Sequence, residues 1–448
     1  MEENFLFERE SIPRAYFQLA LPVVFSMVIA LVYNMADTYF IALTQNTSLI
    51  AGVSIGAPVF TLMIALGDIF GLGGSSVISR LLGERKETDV RRISSSCFYG
   101  ALILGAAVTV LLLSGRKPVL ILLGADPDTM LYANQYFTGI ILGAPAIILS
   151  FTPSNILRTE GLSRESMLGT ILGSVINLLL DPLFILVLGM GASGAALATV
   201  IGYIGSDLYF TWVLLKRSHH LSIQPSHCHI NRKELAAIGA IGIPASVTNL
   251  MQSLSTALTN RSLLPYGNDK IAAMGIAMKI NMLVVLVLVG FAFGAQPLIG
   301  YNYGARHRKK LRDILKFSYG FACSLALFLS FLLYLAAPYL TACFVKDHSL
   351  ITEGTRMLRL LQAGMVFMSV VLVTTCTFQS AGKALGAFLL SVSRQGILFL
   401  LVLSAASRIA GYTGILATQA LSDLLTALLA AFLLYRELWK ELTAAEPA

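Results

Sequence analysis

Twelve long apolar runs separated by short polar or Gly/Pro breaks set the pattern of the chain: about 16–42, 50–79, 93–113, 131–157, 166–188, 192–215, 235–259, 271–300, 314–338, 352–380, 386–406 and 411–435. Each reaches the roughly 20 residues that cross a hydrocarbon core of about 30 Å as a helix. A segment in lipid must satisfy its own backbone hydrogen bonds, and uninterrupted apolar runs of this length do so as helices. The expectation is an all-α integral membrane protein with twelve transmembrane helices. The start, Met1-Glu-Glu-Asn-Phe-Leu-Phe-Glu-Arg-Glu10, is acidic and leads into more than 20 apolar residues with no small-residue cleavage site, so the first run reads as a membrane helix, not a signal peptide.

The halves of this pattern repeat each other. Gly73-Gly-Ser-Ser-Val-Ile-Ser-Arg-Leu-Leu-Gly83-Glu-Arg85 overlays Gly294-Ala-Gln-Pro-Leu-Ile-Gly-Tyr-Asn-Tyr-Gly304-Ala-Arg306 at an offset of 221. Pro22 meets Pro244, Gly161 meets Gly382, and Leu197-Ala-Thr199 meets Leu416-Ala-Thr418 at nearly the same offset. Duplication of a six-helix unit is the economical reading. Six is even, so the copies share one orientation: two pseudo-symmetric six-helix lobes around a cavity. The expected organisation is an N-terminal lobe over 1–215, a polar and basic cytoplasmic linker over 216–234, and a C-terminal lobe over 235–448.

Composition sharpens the class. Of 448 residues 56% are hydrophobic and only 12% charged, against about a quarter in soluble domains, which argues against a soluble enzyme. The excess of 32 Lys+Arg over 24 Asp+Glu suggests nucleic acid only superficially. With both termini in the cytoplasm, 22 basic residues fall in inner loops and tails and 6 in outer loops, as the positive-inside rule requires of a cell-membrane protein.

Most local motifs carry no chemistry. The five cysteines show no CxxC or short repeat spacing, so neither a disulfide framework nor a zinc site is indicated. Gly67, Gly71, Gly73 and Gly74 resemble a phosphate loop only until the lysine is sought, since no lysine here precedes Ser or Thr. Small residues for close helix packing are the simpler reading. His219, His220, His227 and His229 with Cys228 crowd the linker, where solvated histidines are the ordinary reading and no carboxylate completes a closed metal shell. No cofactor and no metal site is expected.

The informative residues are acids at membrane depth, where a charge is costly and usually serves an ion or proton pathway. Counted at about 1.5 Å per residue from inner helix ends near Gln18 and Ser166, Asp37 and Asp181 both fall in the outer half. Thr199 lies at the same level, and Asn177 one turn below Asp181 on the same face. Two carboxyls, an amide and a hydroxyl converge, a set suited to loading and releasing a cation. The plain alternatives are an Asp181-Pro182 turn and a wet helix end at Asp37. Asp68, Asp207 and Asp423 are weaker candidates, the last two placed near inner helix ends where wetting suffices. Lys279 and Arg394 either counter a charge or snorkel to an interface.

The sequence resembles the multidrug and toxic compound extrusion (MATE) antiporters through Asn34-Met-Ala-Asp-Thr-Tyr-Phe-Ile-Ala42, the Gly67–Gly83 segment, Asn177-Leu-Leu-Leu-Asp-Pro-Leu-Phe-Ile185, Gly194-Ala-Ala-Leu-Ala-Thr199 and Gly294-Ala-Gln-Pro-Leu-Ile-Gly-Tyr-Asn-Tyr-Gly304. Helices 7 and 10 read as carrying no acid inside their spans, which is similar to the DinF-type branch with its MepA-like drug pumps. That resemblance implies a proton- or sodium-linked site at Asp37, Asn177, Asp181 and Thr199. It departs at Ala42, and at Gly202 and Tyr203, which replace a Ser/Gln pattern. The function implied is alternating-access efflux of amphipathic, often cationic compounds in exchange for H+ or Na+. Met63, Phe151, Met278 and Met282 are candidate cavity residues, able to hold flat cations by adaptable packing and cation-π contact. Expected partners are small organic molecules and membrane lipids, with no nucleic acid and a monomeric chain. The alternatives are a lipid-linked precursor flippase of related architecture and a non-transporting membrane receptor.

Overall fold

A computed structural model of the chain describes residues 5–443, which are helical throughout apart from short turns and the linker. The first crossing helix, α1, is Ile12–Leu43. Asn46 caps the next, accepting the Leu49 N–H at 3.0 Å, and starts α2, Thr47–Gly83. Helix α3, Glu87–Ser114, opens with Glu87 and Asp89, acids that suit a helix N-terminus. Helix α4 is broken into Met130–Leu142 and Ala144–Thr159, bent by 50° at the pair's junction. Helix α5, Ser163–Pro182, runs on through a π-turn over Leu183–Val187, where Pro182 removes one amide donor and Leu188 N–H reaches back to Leu183 O at 2.8 Å. Helix α6 is Gly191–Lys216.

The second half follows with α7, Arg232–Leu263, α8, Asn268–Gly304, and α9, Arg308–Phe344. Helix α10 is again a bent pair, His348–Ala363 and Met365–Ala381, at 44°. The last run, Ala384–Leu442, has 59 residues. As one helix it would extend about 88 Å, nearly three hydrocarbon thicknesses. Gly411 instead takes φ 53°, ψ −127°, and the chain folds back. A Cβ built on Gly414 would lie 1.9 Å from Ala406 O, and Ser422 Oγ donates to Arg394 O at 3.0 Å, contacts that only an antiparallel hairpin allows. The run is therefore α11, 384–410, and α12, 412–434. Among the described residues nine helices are long and apolar enough to cross a membrane, the two bent pairs make eleven, and the hairpin makes twelve.

The repeat is visible in the turns. Arg85 and Arg306, 221 residues apart, both take φ 57°, and Gly161 and Gly382 take φ 85° and 72°. Two compact units result: Phe25–Ser246, and the described residues up to Val24 together with those from Val247 onward. The divisions fall inside α1 and α7, two residues beyond Pro22 and Pro244, rather than at the ends of the linker. Repeat-related glycines make room for these half-helices. A Cβ on Gly294 would sit 2.3 Å from Ala20 Cα, and one on Gly73 2.3 Å from Ile238 O. No side chain fits at either crossing, so the glycine motif is explained by packing.

The linker is strapped down rather than loose. Ser222 N–H donates to Ser94 Oγ at 2.9 Å, Ser95 Oγ donates to Gln224 O at 2.8 Å, and Tyr99 OH to Ile223 O at 3.0 Å. The Glu160 carboxylate accepts from the His219 and His220 amides at 2.7 and 2.6 Å. Exposed apolar bands such as Ile103, Val110 and Leu111 on α3 and Phe328, Phe331 and Leu335 on α9 are the faces lipid covers.

Candidate functional site

The acid site is built inside the Phe25–Ser246 unit by α1, α5 and α6. Asn177 and Asp181 stand one turn apart on α5, and Thr199 faces them from α6. The helices approach closely because Gly202 has no side chain: a Cβ there would lie 2.7 Å from Gly173 O and 3.1 Å from Asn177 Cβ. With its amide oriented to satisfy both ends, Asn177 Nδ2 donates to Asp181 Oδ2 at 3.1 Å while its oxygen accepts the Thr199 N–H at 3.0 Å. The Thr199 hydroxyl donates to Ala195 O at 3.0 Å and lies 3.4 Å from the Asn177 amide. Asp181 is fully enclosed. Asp37, near the end of α1, lies within electrostatic reach of Asp181, and its Oδ1 is buried with no hydrogen-bond partner. The four residues singled out in the sequence are thus brought to one place.

Three phenols complete the surroundings. Tyr33, one turn before Asp37, lies close to Tyr203 and within electrostatic reach of Asp37 and Tyr136; Tyr136 in turn lies within reach of Asp37, Tyr203 and Asp181. Sequence reasoning missed them, although the four-residue spacing of Tyr33 and Asp37 on one helix was a signal.

The other candidates divide. Asp68 lies within reach of the Arg158 guanidinium, which donates to Asn155 Oδ1 at 2.8 Å. Asp207 and Asp423 are not wet helix ends. Ser150 Oγ donates a short hydrogen bond to the Asp207 carboxylate. Asp423 is fully buried, with Oδ1 accepting from Arg394 Nε at 2.8 Å and Gln419 Nε2 at 3.1 Å. Linear counting placed both acids near an end, but the α11–α12 hairpin encloses Asp423 and the α4–α6 packing half-buries Asp207 against Ser150. Arg394 is therefore a counter-charge, while Lys279 is exposed. Glu353 lies in the second turn of α10, so that helix does carry an acid; Lys270 pairs with it at 2.8 Å and Tyr412 OH donates to it at 2.7 Å.

Of the cavity candidates, Met63 is fully buried in the core of the Phe25–Ser246 unit among Val59, Phe137 and Ile140, which corrects its reading as a cavity wall. Phe151 is half-buried beside Tyr203, ring centroids 6.4 Å apart. Met278 is half-buried against the core of the other unit, and Met282 is 45% exposed. No group of three His, Cys, Asp or Glu able to hold a metal occurs among the described residues. In the linker, His227 Nδ1 instead pairs with Ser222 Oγ at 2.8 Å.

Among the described residues, twelve crossing helices in two repeated halves, with a buried acid–amide–hydroxyl set inside one unit, have the build of a multi-pass membrane transporter. The MatE family profile matches residues 22–183 and 244–406, one copy in each half. The chain belongs to the MatE family. It is 27% identical to the multidrug export protein MepA of Staphylococcus aureus over 439 residues, covering 97% of this chain and 96% of that one. A multidrug resistance MATE family transporter of the MOP superfamily, solved in an outward-facing conformation, superposes with a TM-score of 0.93 at 25% identity, covering 99% of each chain. A MOP superfamily transporter from Pyrococcus furiosus, described by the reverse polarity of its binding pocket, superposes at 0.91 with 26% identity and 99% coverage of both.

Proposed function

We propose that the chain exports amphipathic, often cationic organic compounds across the cell membrane by antiport, driven by inward movement of a proton or sodium ion through the Asp37–Asn177–Asp181–Thr199 site. The observation that carries this reading is the unpartnered, buried Oδ1 of Asp37 beside the enclosed Asp181 carboxyl. A second carboxylate in a low-dielectric site raises the cost of holding two negative charges, and a bound cation removes it. The oxygens available, two carboxyls, an amide and a hydroxyl, suit a proton or a hard cation equally. One charge crossing about 100 mV supplies roughly 2.3 kcal/mol, enough for about a fiftyfold substrate gradient.

Both termini face the cytoplasm in this reading, and each chain holds both repeats, so a monomer suffices. Cation loading acts on α1, which carries Asp37, and Pro22 supplies the missing hydrogen bond at which that helix bends most cheaply. A pyrophosphate-binding flippase is disfavoured because Arg394, one of two basic residues at depth, is already neutralised by Asp423.

The test is ethidium transport in proteoliposomes under an imposed pH gradient, repeated with a sodium gradient alone. Asp37→Asn and Asp181→Asn should each abolish gradient-driven transport with expression retained. Wild-type rates in both variants would sink the assignment.

A further inference from the structure

Tyr203 and Asp207 continue the site along one helix face. Thr199, Tyr203 and Asp207 follow at four-residue intervals on α6, a column about 12 Å long that runs from the acid pair toward the Lys216 end. Tyr203 packs between Phe60 and Phe151, with centroids 6.1 and 6.4 Å away, and lies close to Tyr33, which is within reach of Asp37. Asp207 stands one turn further along the same face of α6. Beyond Asp207 the polar line passes to Ser150, which donates to it, and one turn along α4 to Ser154, whose hydroxyl lies 3.4 Å from that of Ser166.

The charged and titratable groups on elements packed against α6 have other settings. Tyr136 on α4 and Asp181 on α5 face the outer end of the column. Arg158 on α4 and Asp68 on α2 face each other, Arg80 on α2 donates to Ser76 O, and Glu165 on α5 pairs with Arg217. Asp207 is thus a half-buried carboxyl that accepts from a serine and stands one helical turn from a tyrosine, in a polar line that leads back toward the cation site.

We propose that Asp207 is the inner station of the proton path, receiving through Tyr203 the proton loaded at Asp37 and Asp181. This rests on the proton form of the antiport reading. A protonated carboxyl at the outer pair returns to carboxylate as its proton passes to the Tyr33 oxygen, and Tyr33 gives its own proton to the Tyr203 oxygen. That phenol releases its own proton inward, and the Asp207 carboxylate becomes a neutral acid. Both hydroxyls are regenerated, and no charge other than the proton's moves. A phenol serves because it both donates and accepts. Asp207 then gives the proton to water at the Lys216 end.

The experiment compares wild type, Asp207→Asn, Asp207→Glu and Tyr203→Phe in proteoliposomes. It reads ethidium transport and internal pH together, with ethidium affinity in detergent as the structural control. Asp207→Asn should bind ethidium within about twofold of wild type yet lose at least tenfold of proton-driven transport, and Asp207→Glu should recover most of it with a shifted pH profile. Tyr203→Phe keeps the ring packing and removes the hydroxyl, so it tests the path even where Asp207→Asn fails to fold, and it should lose a comparable factor. A wild-type rate and pH profile in either folded variant overturns the inference alone. A wild type driven by sodium and not by protons overturns it together with the proton reading.

Discussion

Removing one member of the Arg394–Asp423 pair should destabilise the chain far more than removing both. The attraction across the 2.8 Å contact is large in a site where Asp423 is fully enclosed and Arg394 is 12% exposed, but so is the cost of taking each ion out of water. For buried pairs these terms nearly cancel, whereas stranding one partner costs about 3–5 kcal/mol. Asp423→Leu strands a guanidinium, which cannot shed its proton, and strips Gln419 of its acceptor. It should sit at the upper end of that range. Arg394→Met leaves a carboxyl that can become neutral, and should cost less. The double variant Arg394→Met/Asp423→Leu should fall within about 1 kcal/mol of wild type, giving a coupling energy of several kcal/mol. Reversible unfolding of the purified protein in mixed micelles measures all four corners of the cycle. Additive single effects, or an Asp423→Leu variant within about 1 kcal/mol of wild type, would show that the pair carries no buried charge and refute the reasoning.

Met63→Ala should cost about 2–5 kcal/mol in the same assay because it opens a void in a closed core, while Met282→Ala, at a half-open surface, should stay within about 0.5 kcal/mol. Equal losses would contradict the assigned burial. A membrane-impermeant maleimide should leave exposed Cys228 unmodified in intact cells and label it in inverted vesicles; the reverse pattern would invert the proposed orientation.

The fold was legible where lipid imposes a one-dimensional rule. Helix number followed from run length, and the repeat followed from glycines whose spacing the structure explains, since a Cβ added at Gly73 or Gly294 would lie 2.3 Å from a facing backbone atom. Even the α11–α12 hairpin was marked by a break at the end of the 386–406 run, although the turn itself rests on one glycine at φ 53°. Allegiance was not legible. Nothing in an apolar run tells which neighbours its first half prefers, so the divisions after Pro22 and Pro244 emerged only from packing.

The site shows the same limit at finer grain. Depth can be counted along a helix, and the four residues Asp37, Asn177, Asp181 and Thr199 were found by counting. Azimuth cannot be counted, because a membrane helix is apolar toward lipid and toward its neighbours alike and loses the amphipathic stripe that orients a soluble helix. Met63, given to a cavity, lies in a core, and Asp207 and Asp423, given to water, lie among helices. The polar residues were the only markers of direction. An acid at depth must face a partner, so the serine behind Asp207 and the arginine beside Asp423 were implied in kind by the acids themselves. Which serine and which arginine depended on contacts 57 and 29 residues away in the chain, and those only the packed helices supply.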